Sequence, residues 1–228
     1  MRIGYFGKLP AYGDFIQRNI NPAIIDYLDN WILQAFDNSQ NTLEKGWRNA
    51  YFTAPIWRFY IDAGIVSRSA LTGLMMPSVD KAGRCYPFFV VGEFSEHTDI
   101  FKLAISAELH HLDCEDYLLH LLETEHTNLD DITKTLVKLY QPLNKSLLKK
   151  AEYIDPNCPN EIFKFSPLQE NSICEISQEC LSKVITEHYA GISIWHRSQS
   201  EKILPQYRFF KGMPTIQTYL EFLAVDEN

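Results

Sequence analysis

Two short stretches of the sequence contain residue types that could bind phosphate or attack an acyl group. Residues 4–8 (GYFGK) place two glycines and a lysine together, but a Walker-type phosphate loop needs four residues between its glycines and a Ser or Thr after the lysine, where this chain has Leu9. Residues 78–81 and 146–149 match Ser-x-x-Lys, yet the chain lacks the Lys-Thr-Gly and Ser-Asp-Asn motifs that accompany it in serine acylases. The glycines of residues 4–8 are instead typical of a tight loop that needs room for its backbone.

A stretch with histidine and cysteine could hold a metal ion. His110 and Cys114 stand four positions apart on a predicted helix, with His111 between them, but a structural zinc site takes four such ligands. None of the five cysteines belongs to a Cys-x-x-Cys pair. We therefore expect these histidines on a helix surface, the cysteines as buried thiols, and neither a metal nor another cofactor.

Charged side chains recur inside segments that are rich in glycine, proline and aromatic residues. They are Lys8, Asp14, Arg18, Arg58, Asp80 and Arg84. A charge in such a setting is either paired or solvated in a shallow groove, because an unpaired buried charge is costly. Two interpretations stay open together: an internal Asp–Arg network that fixes the loops, and a recognition surface for a protein partner. Asp80 precedes a predicted turn at Gly83, so we expect it to serve the fold together with Arg84.

The overall charge limits the classes of partner. Lys and Arg number 21 against 29 Asp and Glu, a formal net charge of −8, which argues against a nucleic-acid-binding protein. Residues 103–133 hold eight acids and no Lys or Arg, and we expect a solvated face of amphipathic helix there. No apolar run approaches the roughly 20 residues of a membrane span, and no targeting segment is visible. We therefore expect a soluble cytoplasmic protein without membrane insertion.

The order of the predicted elements favours an α+β fold. Strands are predicted at residues 2–6, 56–61, 70–76, 86–94, 191–196 and 207–210. Helices are predicted at residues 99–123, 129–140 and 178–187, with others that start at Pro22, near Thr42 and at Met213. Because strands cluster early and helices follow, we expect a mostly antiparallel central sheet flanked by helices. A proline-rich stretch predicts a core at 1–142 and a C-terminal lobe at 143–228 packed on the same sheet, or else one continuous domain.

The charged and glycine-rich segments resemble the TagF family, also called ImpM, of bacterial type VI secretion. The matching segments are residues 4–10 (GYFGKLP), 13–15 (GDF), Arg18, Trp31, 54–59 (APIWRF), 76–80 (MPSVD), 83–84 (GR) and Pro87. The second half matches only through residues 193–195 (SIW) and 212–214 (GMP). Two positions depart from the family pattern: Met213 stands where leucine is common, and Lys81 stands where arginine is usual.

The resemblance implies both a fold and a function. The fold of the family is an α/β sandwich similar to longin or profilin-like domains. Its members are associated with post-translational repression of the secretion apparatus and engage a forkhead-associated scaffold protein. A non-enzymatic cytoplasmic regulator is therefore implied, and a small hydrolase or phosphate-handling enzyme of the same pathway is the alternative.

The family offers no catalytic residues to carry over, but it shares motif residues whose roles stay open. These are Lys8, Asp14, Arg18, Trp57, Arg58, Ser78, Asp80 and Arg84. Trp57, Arg58 and Lys8 are residue types favoured at binding hot spots or in charge-steered contacts. We therefore expect these three side chains to contact the partner.

Overall fold

The fold is built around one antiparallel sheet. A computed structural model describes residues 1–143, 189, 191–198 and 205–223. Its strands follow the order β2-β1-β5-β4-β3-β6-β7, and every neighbouring pair is antiparallel. The strands are β1 (Arg2–Gly7), β2 (Ile16–Arg18), β3 (Trp57–Ile61), β4 (Ala70–Met76), β5 (Phe88–Phe94), β6 (Ile192–Arg197) and β7 (Gln206–Lys211). The predicted α+β class is confirmed, whereas the division at residue 142 stays a prediction.

Helices cover the two faces of this sheet. They are α1 (Pro22–Leu43), α2 (Trp47–Thr53), α3 (Ile100–Glu123), α4 (Leu129–Tyr140) and α5 (Thr218–Leu223), with 3-10 turns at Glu44–Gly46 and Gln141–Leu143. One apolar core lies between the sheet and α3 and α4, and a second lies between the opposite face and α1, α2 and α5. Strand β3 supplies both cores, because Tyr60 points to the first and Phe59 to the second, as the two-residue period of a strand requires.

Local signals in the sequence correctly predict where the long helices begin. The side chain of Asn21 accepts a hydrogen bond from the amide of Ala23, directly before the proline that starts α1. Asp99 accepts hydrogen bonds from the amides of Phe101 and Lys102 at the start of α3. Both residues act as N-caps, which satisfy amides that have no partner inside the helix. None of the helices in the described ranges is long and apolar enough to cross a membrane.

The last helix differs from its prediction. It begins at Thr218 and not at Met213, because the segment between them is held by other contacts. The carbonyl of Pro214 accepts a hydrogen bond from the indole nitrogen of Trp31 at 2.8 Å. The hydroxyl of Thr215 accepts one from the amide of Thr218 at 3.2 Å and so caps the later helix start.

Two further predictions of elements were incomplete. The helix expected near residues 42–51 is divided, since α1 continues to Leu43 and α2 begins only at Trp47. Strand β2 was missed, because its three residues are too few to show a hydrophobic alternation. The helix predicted at 178–187 and the prolines beyond residue 143 lie outside the described residues.

Candidate functional site

The family motifs converge where two loops meet at one end of the sheet. Residues 8–15 follow β1, and residues 77–87 join β4 to β5. The amide of Lys81 donates a hydrogen bond to the carbonyl of Tyr12 at 2.8 Å, and Arg84 Nη2 donates to the carbonyl of Gly13 at 2.9 Å. We call these two loops, together with β2, the motif surface. Segments far apart in the sequence thus form one continuous structure.

Asp80 lies at the centre of the contact between the two loops. Its carboxylate is fully buried, with Oδ2 located 3.0 Å from Lys8 Nζ and 2.6 Å from Arg84 Nε. Its Oδ1 accepts hydrogen bonds from the amides of Ala82 and Arg84, each at 3.0 Å. The structure therefore contains the expected internal network, which joins both loops through one carboxylate.

The protonation of Asp80 follows from these contacts. Burial by itself raises the pKa of a carboxyl group, because it penalises the charged form. Hydrogen bonds from the Arg84 amide and from the side chains of Lys8 and Arg84 outweigh this penalty and hold the pKa of Asp80 well below its ordinary value. Asp80 is therefore a carboxylate at neutral pH.

Two glycines of the motifs permit this loop geometry. Gly7 has a φ of 131°, and a Cβ at this position would stand 2.2 Å from the carbonyl oxygen of Pro87. Gly83 has a φ of 77° in the turn that Asp80 closes. An L side chain rarely adopts such values. Gly7 therefore serves a close approach of two backbones, as the tight-loop interpretation of residues 4–8 expects, whereas Gly83 serves the positive φ of its turn.

Only some of the shared motif residues reach solvent. Asp14 and Arg18 are exposed, and the side chain of Arg84 is 62% exposed although its Nε contacts Asp80. Lys8 is only 7% exposed, which corrects the expectation that its side chain contacts a partner. Only the exposed members of the shared motif residues can therefore contact a partner directly.

Phe15 is a surface residue that residue types alone did not select. Its side chain is 52% exposed, although its ring packs edge-on against Tyr86 and lies 4.9 Å from Lys8 Nζ. The exposed cations Lys81 and Arg48 belong to the same region, and Arg48 donates a hydrogen bond to the carbonyl of Gly83. The signal that could have found Phe15 is its position in the Gly-Asp-Phe motif, where a large apolar residue follows two residues typical of loops.

Trp57 and Arg58 lie in the interior, which corrects the expectation that they contact a partner. Each is 1% exposed. Trp57 stacks on Phe222 and donates its indole N–H to the carbonyl of Phe222 at 3.1 Å. Arg58 forms a bidentate ion pair with Glu115 of α3, at 2.7 and 2.9 Å. The physical reason is that β3 is a central strand covered on both faces, which residue types cannot show.

Ser78 is also an interior residue, and it acts through its backbone. Its amide and carbonyl form hydrogen bonds with the Tyr51 hydroxyl at 2.9 and 2.8 Å. Its own hydroxyl is buried and has no hydrogen-bond partner among the described residues. The position therefore anchors the second loop on α2.

The stretch with His110, His111 and Cys114 contains two buried residues, so the expectation of a histidine-bearing helix surface was wrong for His111. Both His111 and Cys114 are completely buried. The Thr72 hydroxyl donates to the Phe59 carbonyl, so it accepts from His111 Nε2 at 2.9 Å, while His111 Nδ1 lies 3.1 Å from the Tyr140 hydroxyl. Burial, followed by the charge of Arg58, holds the pKa of His111 well below its usual value. His111 is thus a neutral core residue, and the described part of the chain holds no cluster of three metal-ligating side chains.

The comparisons with known proteins agree with this architecture. A crystal structure of PA0076 from Pseudomonas aeruginosa PAO1 has a TM-score of 0.77 and 23% sequence identity, and the match covers 99% of this chain and 95% of that one. This likeness supports the fold. None of the curated proteins matches the chain. The sequence profile of the TagF N-terminal domain, described as type VI secretion system-associated, matches residues 4–139, which include the whole motif surface. The chain therefore belongs to the TagF N-terminal domain family, which is associated with type VI secretion.

Proposed function

We propose that this chain is a cytoplasmic regulator that represses type VI secretion after translation by binding a forkhead-associated scaffold protein, without catalysing a reaction. Membership of a secretion-associated family supports an accessory role. The observation that carries the proposal is the motif surface, where the Lys8–Asp80–Arg84 cluster holds two family motifs in one rigid arrangement. A preorganised surface loses little conformational entropy when it binds.

The exposed side chains of the motif surface suit protein recognition. Phe15 offers an aromatic ring that a pocket of a partner can bury, and partly exposed aromatic residues are common anchors of interfaces. The exposed residues Arg18, Lys81 and Arg84 bring three positive charges to the motif surface, against one negative charge from exposed Asp14. Such charges accelerate association with an acidic surface and orient it. We therefore expect the scaffold to present acidic groups around an apolar pocket.

The test is a binding measurement with the purified scaffold of the same organism. Phe15→Ala and Arg18→Glu change exposed side chains, so the variants should fold like the parent protein. We expect each to weaken scaffold binding at least roughly tenfold, as the loss of a hot-spot residue does, and to release secretion in cells. Phe209→Ala is the matched control, because Phe209 is 55% exposed on β7, at the edge of the sheet opposite β2.

Two outcomes would contradict the proposal in different ways. Parent-like affinity of Phe15→Ala and Arg18→Glu would remove the motif surface from scaffold binding. Loss of repression in Ser78→Ala, with normal scaffold binding and a normal melting temperature, would instead favour the alternative of a hydrolase or phosphate-handling enzyme. Ser78 is the useful position for this second test because it carries the hydroxyl embedded in a shared motif.

A further inference from the structure

An apolar groove lies between α3 and the strands β6 and β7, away from the motif surface. It has a volume of about 240 Å³, and its lining includes Ile105 and Glu108 of α3 and Tyr207 and Phe209 of β7. Among these, Ile105, Tyr207 and Phe209 are 52%, 58% and 55% exposed. Large apolar side chains that stand together in solvent are unusual on a monomeric protein and mark interaction sites. We call this region the α3–β7 groove.

The shape of the groove fits a helix. On this face of the sheet, α4 packs against β1, and α3 packs mainly against β4 and β3. The strands β6 and β7 continue the sheet beyond α3, but no helix of the described residues covers them on this side. Strand β7 has six residues, which span about 20 Å, the length of a helix of about 14 residues. Among the described residues, the face of β6 and β7 therefore offers a place where the helical layer of α4 and α3 could continue.

The floor of the groove contributes no net charge. Arg58 and Glu115 do not line the groove, and they neutralise each other in their bidentate pair. His196 stacks on Tyr207 with ring centroids 3.9 Å apart. Burial, and then the neighbouring charge of Arg58, lowers the pKa of His196 to about 4, so its imidazole is neutral at neutral pH. The net charge of the groove therefore depends on the side chains at its rim.

The rim of the groove is acidic through one residue, because Glu108 is the only Asp, Glu, Lys or Arg among the described lining residues. Glu108 lines the groove, is exposed, and forms no ion pair with any described residue. Burial raises the pKa of the Tyr207 hydroxyl, and the negative charge of Glu108 raises it further. The carboxylate of Glu108 therefore acts on an aromatic residue that lines the groove. Lys102 and Lys211 belong to the same elements but do not line the groove. The rest of α3 adds acids without any Lys or Arg after position 102.

We propose that the α3–β7 groove binds a positively charged amphipathic helix of a partner protein. The apolar side of this helix covers Tyr207 and Phe209, and its Lys or Arg side chains lie beside Glu108. Charge complementarity selects this occupant, because an acidic rim around an apolar floor repels acidic segments and attracts basic ones. This second interface goes beyond the proposed binding of the scaffold by the motif surface and does not depend on it.

The test uses the full chain and a labelled probe peptide of about 14 residues in which Leu and Lys alternate at helical spacing. A second peptide replaces every Lys with Glu. Fluorescence anisotropy should show binding of the Lys peptide, weaker binding at high salt, and no binding of the Glu peptide. We expect Phe209→Ser and Ile105→Ser to lower the affinity roughly tenfold and Glu108→Lys to lower it several-fold. Leu33→Ser, at an equally exposed apolar position on α1, should leave it unchanged.

Several results would overturn this proposal. Equal affinity of the parent and Phe209→Ser, or equal binding of both peptides, would show that the groove does not recognise a basic helix. A dimer in sedimentation that Phe209→Ser dissociates would assign the groove to a second copy of this chain. A large fall in melting temperature in both Phe209→Ser and Ile105→Ser, but not in Leu33→Ser, would assign it to residues 144–188 of the same chain. Scaffold binding by Phe15→Ala is measured separately, so failure here does not affect the proposed function.

Discussion

At the motif surface, the half-exposed ring of Phe15 lies beside Lys8, which belongs to the ion cluster of Asp80 with Lys8 and Arg84. In the α3–β7 groove, the half-exposed ring of Phe209 lies beside Phe101, and the ion pair of Arg58 with Glu115 starts two strands away, on β3. The two ion clusters differ in what they join. Asp80 joins two loops and organises its own turn, whereas Arg58 joins a central strand to the helix packed on it. Buried charge can therefore either shape a surface locally or hold a layer of the fold in place.

The largest effect should follow from removing the interlayer pair. We expect Arg58→Ala to lower the free energy of unfolding by about 3–5 kcal/mol, because it leaves a partly buried Glu115 without its partner and leaves a cavity in the core. Denaturant unfolding measures this loss. Glu115→Gln keeps the shape of the side chain and should cost less. A loss below about 1 kcal/mol in Arg58→Ala would show that the pair does not hold α3 on the sheet.

A smaller and more local effect is expected at the motif surface. Since the pKa of Asp80 is held below its ordinary value of about 3.9, its carboxylate stabilises the fold fully above that value and loses this contribution as the pH falls further. Asp80→Asn should therefore be less stable than the parent at neutral pH, and the difference should shrink in acid. Parallel stability profiles between about pH 5 and pH 2 would contradict this expectation.

Hydrogen exchange can separate the two regions in the same Asp80→Asn variant. Asparagine keeps one side-chain oxygen but loses the negative charge, so the amides of Ala82 and Arg84 donate to a weaker acceptor and should exchange faster. Amides of β6 and β7 should keep the parent rates. Faster exchange in both regions would show that the Asp80 cluster supports the whole sheet and not only its own loops.

The pKa of His196 provides a test of the floor of the groove that needs no substitution. Its pKa is lowered from 6.5 to about 4, so the folded protein binds its proton less readily than the unfolded chain does. The contribution of His196 is therefore fully present above about pH 6.5 and is lost as the pH falls toward 4. An NMR titration of the imidazole should show this depressed midpoint. A midpoint near 6.5 would mean that solvent reaches the ring and that the floor of the groove becomes positive in mild acid.

The smallest effect is expected for Ser78→Ala. The hydroxyl of Ser78 has no partner among the described residues, while its amide and carbonyl keep their hydrogen bonds with Tyr51. The free energy of unfolding should change by less than about 1 kcal/mol. Tyr51→Phe, which removes both hydrogen bonds, should cost more and is the control. The reverse order of these two losses would indicate a hydrogen bond to the Ser78 hydroxyl.

Much of the fold could be predicted from local signals. The boundaries of β4, α3 and α4 agree with the prediction to within one residue, because caps and hydrophobic periods depend on neighbouring residues. The failures have a shared cause. The late start of α5 depends on a hydrogen bond between Pro214 and Trp31, which are far apart in the sequence. No window of the sequence contains both partners of such a contact.

The candidate site, like the fold, has some features that follow from the sequence and others that only the tertiary structure sets. The sequence by itself determined the family, the turn at Gly83 and the pairing of Asp80 with Arg84, since these depend on residue order and on contacts four positions apart. Only the tertiary structure decided which charges are buried. It placed Arg58 against Glu115, brought Lys8 to Asp80, and left Phe15 and Phe209 in solvent. The reason is that burial is set by the layers packed on each strand and loop, and those layers come from distant parts of the chain.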